Sequence, residues 1–295
     1  MRKSSIYLPD ELKHALAELA ARTGRPEAEL IRQAIERLLA VTEGGPARSP
    51  AETPVLHPRP ALVGVGVGPG DPGLVTARAR ATLVAAQRVL VITTDARSIG
   101  RAEMVVRSVA PTASIQRVPF AIGADAAARR GSLDDVKEAA LAGLDAGELV
   151  AIAVLGDATQ WTIFPDLAEL VGAARPAVTV AIEPGITSYQ AAAADALTTL
   201  GRPAGGMVVV DRVDDLDRHL GDPTTAVVLY KATTDAVALK VLATRHQRDG
   251  AVVAELTGLP GHRLQPLAQS DDGPISYLAT VLFPARSPQP TRGPR

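Results

Sequence analysis

Between residues 61 and 284, short runs of β-branched and aliphatic residues alternate with amphipathic stretches of helical length. The runs at 61–66, 89–93, 149–155, 177–183, 206–211, 225–230, 251–256 and 276–283 are predicted strands. Strands alternating with helices in this way predict an α/β fold with largely parallel sheets. Residues 1–40 carry a different pattern: Ser4, Ile6 and Leu8 fall on one side of a strand and Lys3, Ser5 and Tyr7 on the other. Pro9, Asp10 and Glu11 suit a first helical turn, with a fixed φ and carboxylates at the positive end of the helix dipole. Leu12, Ala15, Leu16 and Leu19 then form one apolar stripe, Gly24 supplies a stop, and Leu30, Ile31, Ala34, Ile35, Leu38 and Leu39 form a second. So small a unit cannot bury two stripes alone, so it is expected to dimerise.

Proline and glycine crowd residues 41–60, which are read as a linker, and residues 285–295 have nothing to bury and are expected to be disordered. The 295 residues, 46% of them hydrophobic, can fill more than one core. A net charge of −1 implies no general affinity for polyanions, and an aromatic content of 3% makes base stacking an unlikely means of holding nucleic acid. The absence of cysteine excludes disulfides, thiolate metal sites and thiol nucleophiles together. His14, His57, His219, His246 and His262 are dispersed, form no ligand pair at helical spacing and are read as exposed or linker residues, so no metal is expected. Met1-Arg2-Lys3 followed by polar residues lacks the apolar core of a signal peptide, and no run is long enough to span a bilayer, so the protein is expected to be cytoplasmic.

The most informative stretch is Leu62-Val-Gly-Val-Gly-Val-Gly-Pro-Gly-Asp-Pro-Gly-Leu-Val-Thr76, a strand that runs into alternating glycines and a tight turn. Bare backbone at the carboxyl end of a strand can approach a ligand closely. The spacing excludes a dinucleotide fingerprint, because Pro69 or Asp71 stands where the third glycine belongs, and no Gly-Lys-Ser/Thr of a P-loop follows. Asp71 either caps the turn into the helix at Leu74 or stands as a polar group beside a reacting acceptor.

This loop resembles the one that opens the methyltransferases acting on tetrapyrroles, in particular the precorrin and cobalt-precorrin methylases. Two more matches follow in order, Val154-Leu155-Gly156-Asp157-Ala158 at a strand end and Glu183-Pro184-Gly185-Ile186-Thr187-Ser188 at a helix start. The run Gly156 to Phe164 looks most like the methylase that modifies carbon 20 of precorrin-2. The resemblance implies a two-lobed fold, about 61–174 and 175–284, that clasps S-adenosylmethionine in the cleft between the lobes. It places cofactor contacts at Pro69, Leu155, Gly156, Asp157, Gln160, Thr187, Ser188, Tyr230 and Gly258, and makes Asp71 the candidate at the acceptor side. Thr187 and Ser188 have a capping role as their alternative. Departures from the family pattern are Ala158 for the usual proline, Tyr230 where methionine is commoner, and Leu278 and Ala279 in place of an aromatic ring and a hydroxyl. Arg97, Arg101 and Lys231 are available to the carboxylates of a corrinoid acceptor.

The amino-terminal segment is similar to the ribbon-helix-helix fold of small bacterial repressors and antitoxins. That similarity makes Lys3, Ser5 and Tyr7 a base-facing set on a two-chain ribbon in the DNA major groove, with a phosphate near the amides at Arg25-Pro26-Glu27. Acidic and basic residues nearly balance there, so a dimerisation module without DNA binding stays open. The resulting expectation is a homodimeric methyltransferase acting on a corrin precursor. Its alternatives are a regulator that senses S-adenosylmethionine or a tetrapyrrole without turnover, and a methylase of this fold with a peptide or other acceptor.

Overall fold

A computed structural model of the chain describes residues 9–23, 26–32, 57–95, 97–121, 125–230 and 234–286. The chain divides into two units, residues 1–53 and 54–295. In the first unit, helix α1 (Asp10–Thr23) starts with the Lys13 amide donating to the Pro9 carbonyl at 3.0 Å, so Pro9 opens the helix as its sequence suggests. Residues 27–32 are helical again, their first turn closed on the carbonyl of Pro26. Leu12 is 58% exposed, and Leu16, Leu30 and Ile31 are half-buried. Lys3, Ser5 and Tyr7, the expected ribbon, lie outside the described residues.

The second unit opens with β1 (Ala61–Gly66), α2 (Ala77–Ala85), β2 (Arg88–Thr93), α3 (Arg101–Val109), β3 (Ile115–Pro119), α4 (Ala126–Asp145), β4 (Leu149–Val154), α5 (Phe164–Ala174) and β5 (Thr179–Glu183). The five strands form one sheet in the order β3-β2-β4-β1-β5, parallel throughout. Its central strands β1 and β4 are buried along their whole length because helices cover both faces. Val63, Val65, Val89, Val91, Ala151 and Ala153 pack against α2 and α3, and Leu62, Leu90, Val150, Ile152 and Val154 pack against α4 and α5. Alternate residues of each strand therefore serve two different cores. On the second face Phe164 lies flat on Gly64, where an added methyl would come within 2.6 Å of the ring.

The chain then forms α6 (Ser188–Asp195), β6 (Gly206–Val210), α7 (Leu216–Leu220), β7 (Thr225–Tyr230), β8 (Thr234–Asp235), α8 (Ala236–Arg245), β9 (Val252–Glu255), β10 (Arg263–Pro266), β11 (Pro274–Ile275) and β12 (Ala279–Phe283). A second five-stranded sheet, β10-β9-β12-β7-β6, has one parallel pair, β6 with β7, and is otherwise antiparallel. Helices α7 and α8 cover one face, and α6 covers the other through Tyr189, Ala192 and Ala193. Arg248 is buried to 2% exposure and is satisfied without a carboxylate. Its guanidinium donates to the carbonyls of Leu220, Asp222, Thr225 and Pro284, and burial pushes its pKa down.

Several boundaries differ from the sequence expectation. The strand expected at 177–183 to begin the second lobe pairs with β1, so the first sheet extends through Glu183. The expected linker 41–60 gives up its last residues to the second unit: the His57 side chain is buried, with Nε2 2.8 Å from Oε1 of Glu183. Glu183 is itself buried and also meets Arg78, with Nε 3.0 Å from Oε2. His57 is thus a buried partner rather than an exposed linker residue, and His246 also pairs, 2.7 Å from Asp217. Of the expected tail 285–295, Arg286 is held to the second unit, its amide donating to the carbonyl of Pro223 at 2.8 Å, and residues 287–295 lie outside the described residues. Strands β3 and β10 carry Gln116, Arg117, Arg263 and Gln265 at sheet edges, where an apolar run is not required.

Phe164→Ala should destabilise the second unit by about 3–5 kcal/mol and Gly64→Ala by about 1–3 kcal/mol. The double variant should fall short of the sum, because the new methyl enters the space the ring vacates. Denaturant unfolding of the four proteins checks this. Glu103 supplies a pH dependence, since Arg117, followed by Arg107, holds its carboxyl below the ordinary 4.5 while burial acts the other way. A carboxyl depressed in the folded state stabilises the protein above its unfolded pKa, and that contribution is lost as pH falls through the folded value. Unfolding measured from neutral to acid pH should therefore show less acid sensitivity in Glu103→Gln than in the parent.

Candidate functional site

Three strand ends meet with no side chain between them. A methyl added at Gly66 would lie 2.6 Å from the Gly185 amide nitrogen and 2.7 Å from the Gly156 carbonyl oxygen. One added at Gly185 would lie 2.1 Å from that same carbonyl. Beyond β1 and β4 the two turns pair as an isolated bridge, the Gly156 amide donating to the Gly68 carbonyl at 2.7 Å and the Gly68 amide to the Gly156 carbonyl at 3.2 Å. Gly68 and Gly156 have φ values of 73° and 76°, in the left-handed region where an L side chain is strained.

Asp157 ties this junction together. One carboxylate oxygen accepts from the Gly185 amide at 2.8 Å, and the other accepts from the amide and the hydroxyl of Thr159. The side chain expected to lie along a cofactor is thus bonded within the protein and buried to 8% exposure. Thr187 caps α6 in a reciprocal box with Gln190, so its alternative role is the one seen. Ser188 meets the Thr280 hydroxyl at 3.0 Å, and Gln160 accepts from the Tyr189 hydroxyl at 3.0 Å. Burial pushes the Tyr230 phenol above its usual range while hydrogen bonding with Ser188 pulls it back, so Tyr230 is neutral at ordinary pH.

These turns form part of the wall of a cavity of about 960 Å³, near the upper end of the range usual for small-molecule sites. Pro69, Leu155, Gly156, Ser188 and Tyr230 are the expected residues that line it. Asp157, Gln160 and Thr187 stand just behind the wall, committed to the bonds above. Gly258, at φ 71°, packs its Cα against the backbone of Gly70 and Asp71, joining the first turn to the second lobe. Asp71 is exposed, caps the turn by accepting from the Gly73 amide at 2.7 Å, and is not among the cavity-lining residues. Arg101 lines the cavity, Arg97 does not, and Lys231 lies outside the described residues.

Sequence reasoning assigned no role to Trp161, Thr257, Arg129 or Tyr277, all of which line the cavity. Trp161 was visible as the only tryptophan of the chain, three residues beyond the strand-end motif that closes at Ala158. Tyr277 brings an aromatic ring to the wall beside the leucine that departs from the family pattern. Thr257 is 4% exposed, and its hydroxyl has no hydrogen-bond partner. A buried hydroxyl left unpaired costs stability unless something in the cavity meets it. Among the described residues, no three His, Asp or Glu side chains gather as metal ligands. No helix among them is long and apolar enough to cross a membrane.

The contrast between Asp157 and Thr257 can be measured. Asp157→Asn turns one accepting oxygen into a donor facing a donor and should cost about 1–3 kcal/mol in unfolding experiments. Thr257→Val removes an unpaired hydroxyl at constant volume and should leave stability unchanged or slightly raised.

Residues 61–264 match the family of Tetrapyrrole (Corrin/Porphyrin) Methylases, and residues 5–40 match the ribbon-helix-helix proteins of the copG family. The cobalamin biosynthesis protein CobIJ of Mycobacterium bovis is 29% identical over 242 residues, which cover 77% of this chain and 46% of the relative. The CobIJ protein of Mycobacterium tuberculosis matches with the same figures, so the chain spans about half the length of the curated relatives it matches. Among solved structures, the cobalt precorrin-4 methyltransferase CbiF aligns with a TM-score of 0.55 at 19% identity, covering 81% of this chain and 97% of that one. The putative cobalamin synthesis related protein CobF of Corynebacterium diphtheriae aligns with a TM-score of 0.56 at 16% identity, covering 77% and 99%. With three strand-end turns meeting at one cavity and a family match over well more than half of its length, the chain belongs to the tetrapyrrole methylase family.

Proposed function

We propose that residues 61–284 form an S-adenosylmethionine-dependent methyltransferase whose acceptor is a corrin precursor, and that residues 1–40 pair two chains into a homodimer. The observation that carries the reading is the cavity bounded by the turns at Pro69 and Leu155–Gly156 and by Ser188 and Tyr230. The site fits such a cofactor on two counts. A methyl on Gly156 would meet the Tyr230 hydroxyl at 3.6 Å, an ordinary contact distance, so the bare backbone there leaves room at the cavity wall. The Thr257 hydroxyl is buried at the wall and unspent.

When bound, the cofactor supplies a methyl group on a sulfonium that departs as a neutral thioether, so the protein's task is placement and exclusion of water. Pro69, Leu155, Gly156, Ser188 and Tyr230 hold it, while Asp157, Gln160, Thr187 and Gly258 fix the turns that do so. Arg101 and Arg129 offer guanidinium groups to the carboxylates of the acceptor. Asp71 acts as a cap in this reading, since its carboxylate is turned to the Gly73 amide. The resemblance of Gly156–Phe164 to the carbon-20 methylase makes precorrin-2 the first acceptor to try.

The match of residues 5–40, which holds Ser5 and Tyr7 with Lys3 just before it, favours a second role, operator binding. In that role the cavity's ligand is an effector, and cofactor changes operator affinity.

Calorimetry should show S-adenosylmethionine binding that Gly156→Trp abolishes by filling the turn. Incubation with labelled cofactor and precorrin-2 should give a product heavier by one methyl group, read by mass spectrometry. Asp71→Asn keeps a capping acceptor, so turnover should change by less than about threefold, whereas loss of a general base would cost about a hundredfold or more. Gel shifts with and without cofactor separate enzyme from regulator, because a hundredfold cofactor effect on operator affinity would put the regulator first.

A further inference from the structure

We propose that His57 is a positioning residue for the cofactor site: acting through the buried carboxylate of Glu183, it holds the Pro184-Gly185 turn that sets Ser188 at the cavity wall. The inference rests on the cofactor reading above and adds to it a residue that stands ahead of the family match, which begins at residue 61.

The path of the chain brings His57 to the side of the sheet where the site is. A segment that enters a parallel strand ordinarily comes from the amino edge of the sheet, away from the edge where the turns meet. Residues 57–60 instead follow β5 in reverse: the Pro60 carbonyl accepts from the amide of Thr179, the first residue of that strand, and His57 reaches Glu183, the last. Arg59 fastens the same segment to the end of α2 by donating to the Ala85 carbonyl at 3.3 Å. His57 thus arrives at the carboxyl edge, on the residue that precedes Pro184.

Glu183 depends on that arrival. Its side chain is 2% exposed, and Oε1 takes the aligned hydrogen bonds, with His57 Nε2 at 2.8 Å, Arg78 at 3.1 Å and the Thr82 hydroxyl at 3.5 Å. Oε2 lies 3.0 Å from Arg78 Nε yet makes no aligned hydrogen bond. The Arg78 side chain is 63% exposed, so without His57 the carboxylate keeps a distant hydroxyl and a guanidinium that stands in water, and is drawn outward toward it. The turn that follows would move with it. The Thr76 hydroxyl donates to the Pro184 carbonyl at 3.4 Å, and the Gly185 amide donates to Asp157 at 2.8 Å, so a displaced Glu183 pulls on the junction as well as on Ser188 at the start of α6. Ser188 lines the cavity, and its place there is set through this turn.

Calorimetric titration of the full chain with S-adenosylhomocysteine, paired with denaturant unfolding, separates positioning from stability. His57→Leu removes the bond and should weaken binding by about 5- to 30-fold. His57→Gln, whose amide nitrogen can stand near the place of the ring Nε2, should stay within about twofold of the parent. Leu216→Ala opens a gap in the core on the face of the second sheet opposite α6, and should lower the unfolding midpoint without moving the affinity. In a Glu183→Gln background the further change His57→Leu should add less than about twofold, since the histidine acts through that carboxylate. His57→Asn, whose amide stops short of Glu183, carries the same expectation as leucine and serves where the leucine variant does not fold. Unchanged affinity in His57→Leu or His57→Asn, with a lowered unfolding midpoint, would reduce His57 to a structural pair and overturn the proposal while leaving the cofactor reading intact. Equal weakening by glutamine and leucine, or a full effect of His57→Leu in the Glu183→Gln background, would overturn it in the same way. Failure of the parent protein to bind S-adenosylhomocysteine would overturn both.

Discussion

The second unit depends on a junction where three chain segments come together without side chains. Gly66, Gly156 and Gly185 approach until a single methyl on Gly66 or Gly185 would overlap backbone, and the Asp157 carboxylate bridges from the end of β4 to the amide of Gly185. Parallel strands all end on the same edge of a sheet, so their turns have only that edge in which to meet. Making the turns of glycine removes the walls that would otherwise fill the space. An acidic side chain then supplies the order that glycine lacks, since its two oxygens satisfy amides from two of the converging loops.

The second lobe completes the cavity by different means. Its sheet is mostly antiparallel, and it adds Ser188, Tyr230, Thr257 and Tyr277 to a wall that the first lobe builds from its glycine turns together with Arg101, Arg129 and Trp161. The two parts join where Gly258 lies on the Gly70–Asp71 turn, in left-handed backbone that lets the two loops touch. Rigid pieces thus surround a volume they do not fill. Two buried carboxylates tie chain segments at the periphery, with Glu183 meeting His57 and Arg78, and Glu103 meeting Arg107 and Arg117. Removing one partner of such a cluster leaves a buried charge unpaired, which is why these pairs tie chain segments together more strictly than surface pairs do.

Much of this was legible in the residues. Apolar runs marked the central strands because both faces of a covered parallel sheet must be apolar, and β1 and β4 are buried from end to end. The glycine turns were legible because left-handed backbone and close approach restrict residue choice so strongly. The edge strands β3 and β10 were not, since a strand half in water carries arginine and glutamine without penalty. Residues bonded behind the wall, such as Asp157 and Thr187, looked like cavity residues in sequence because a motif records position in the chain and not which way a side chain turns.

By itself the sequence determined the fold class, the family, the three turns and their order, and an amino-terminal unit with apolar stripes to cover. Tertiary structure alone decided which groups face the cavity. Trp161 becomes a wall residue only because β7 brings Tyr230 beside it and the loop after β6 brings Asp211 to its N–H. Thr257 becomes an unspent hydroxyl only because its surroundings exclude water and offer no partner. His57 becomes a buried partner of Glu183 across 126 positions of chain. Each of these depends on contacts between segments distant in sequence, and local periodicity, which reports neighbours along the chain, carries no record of them.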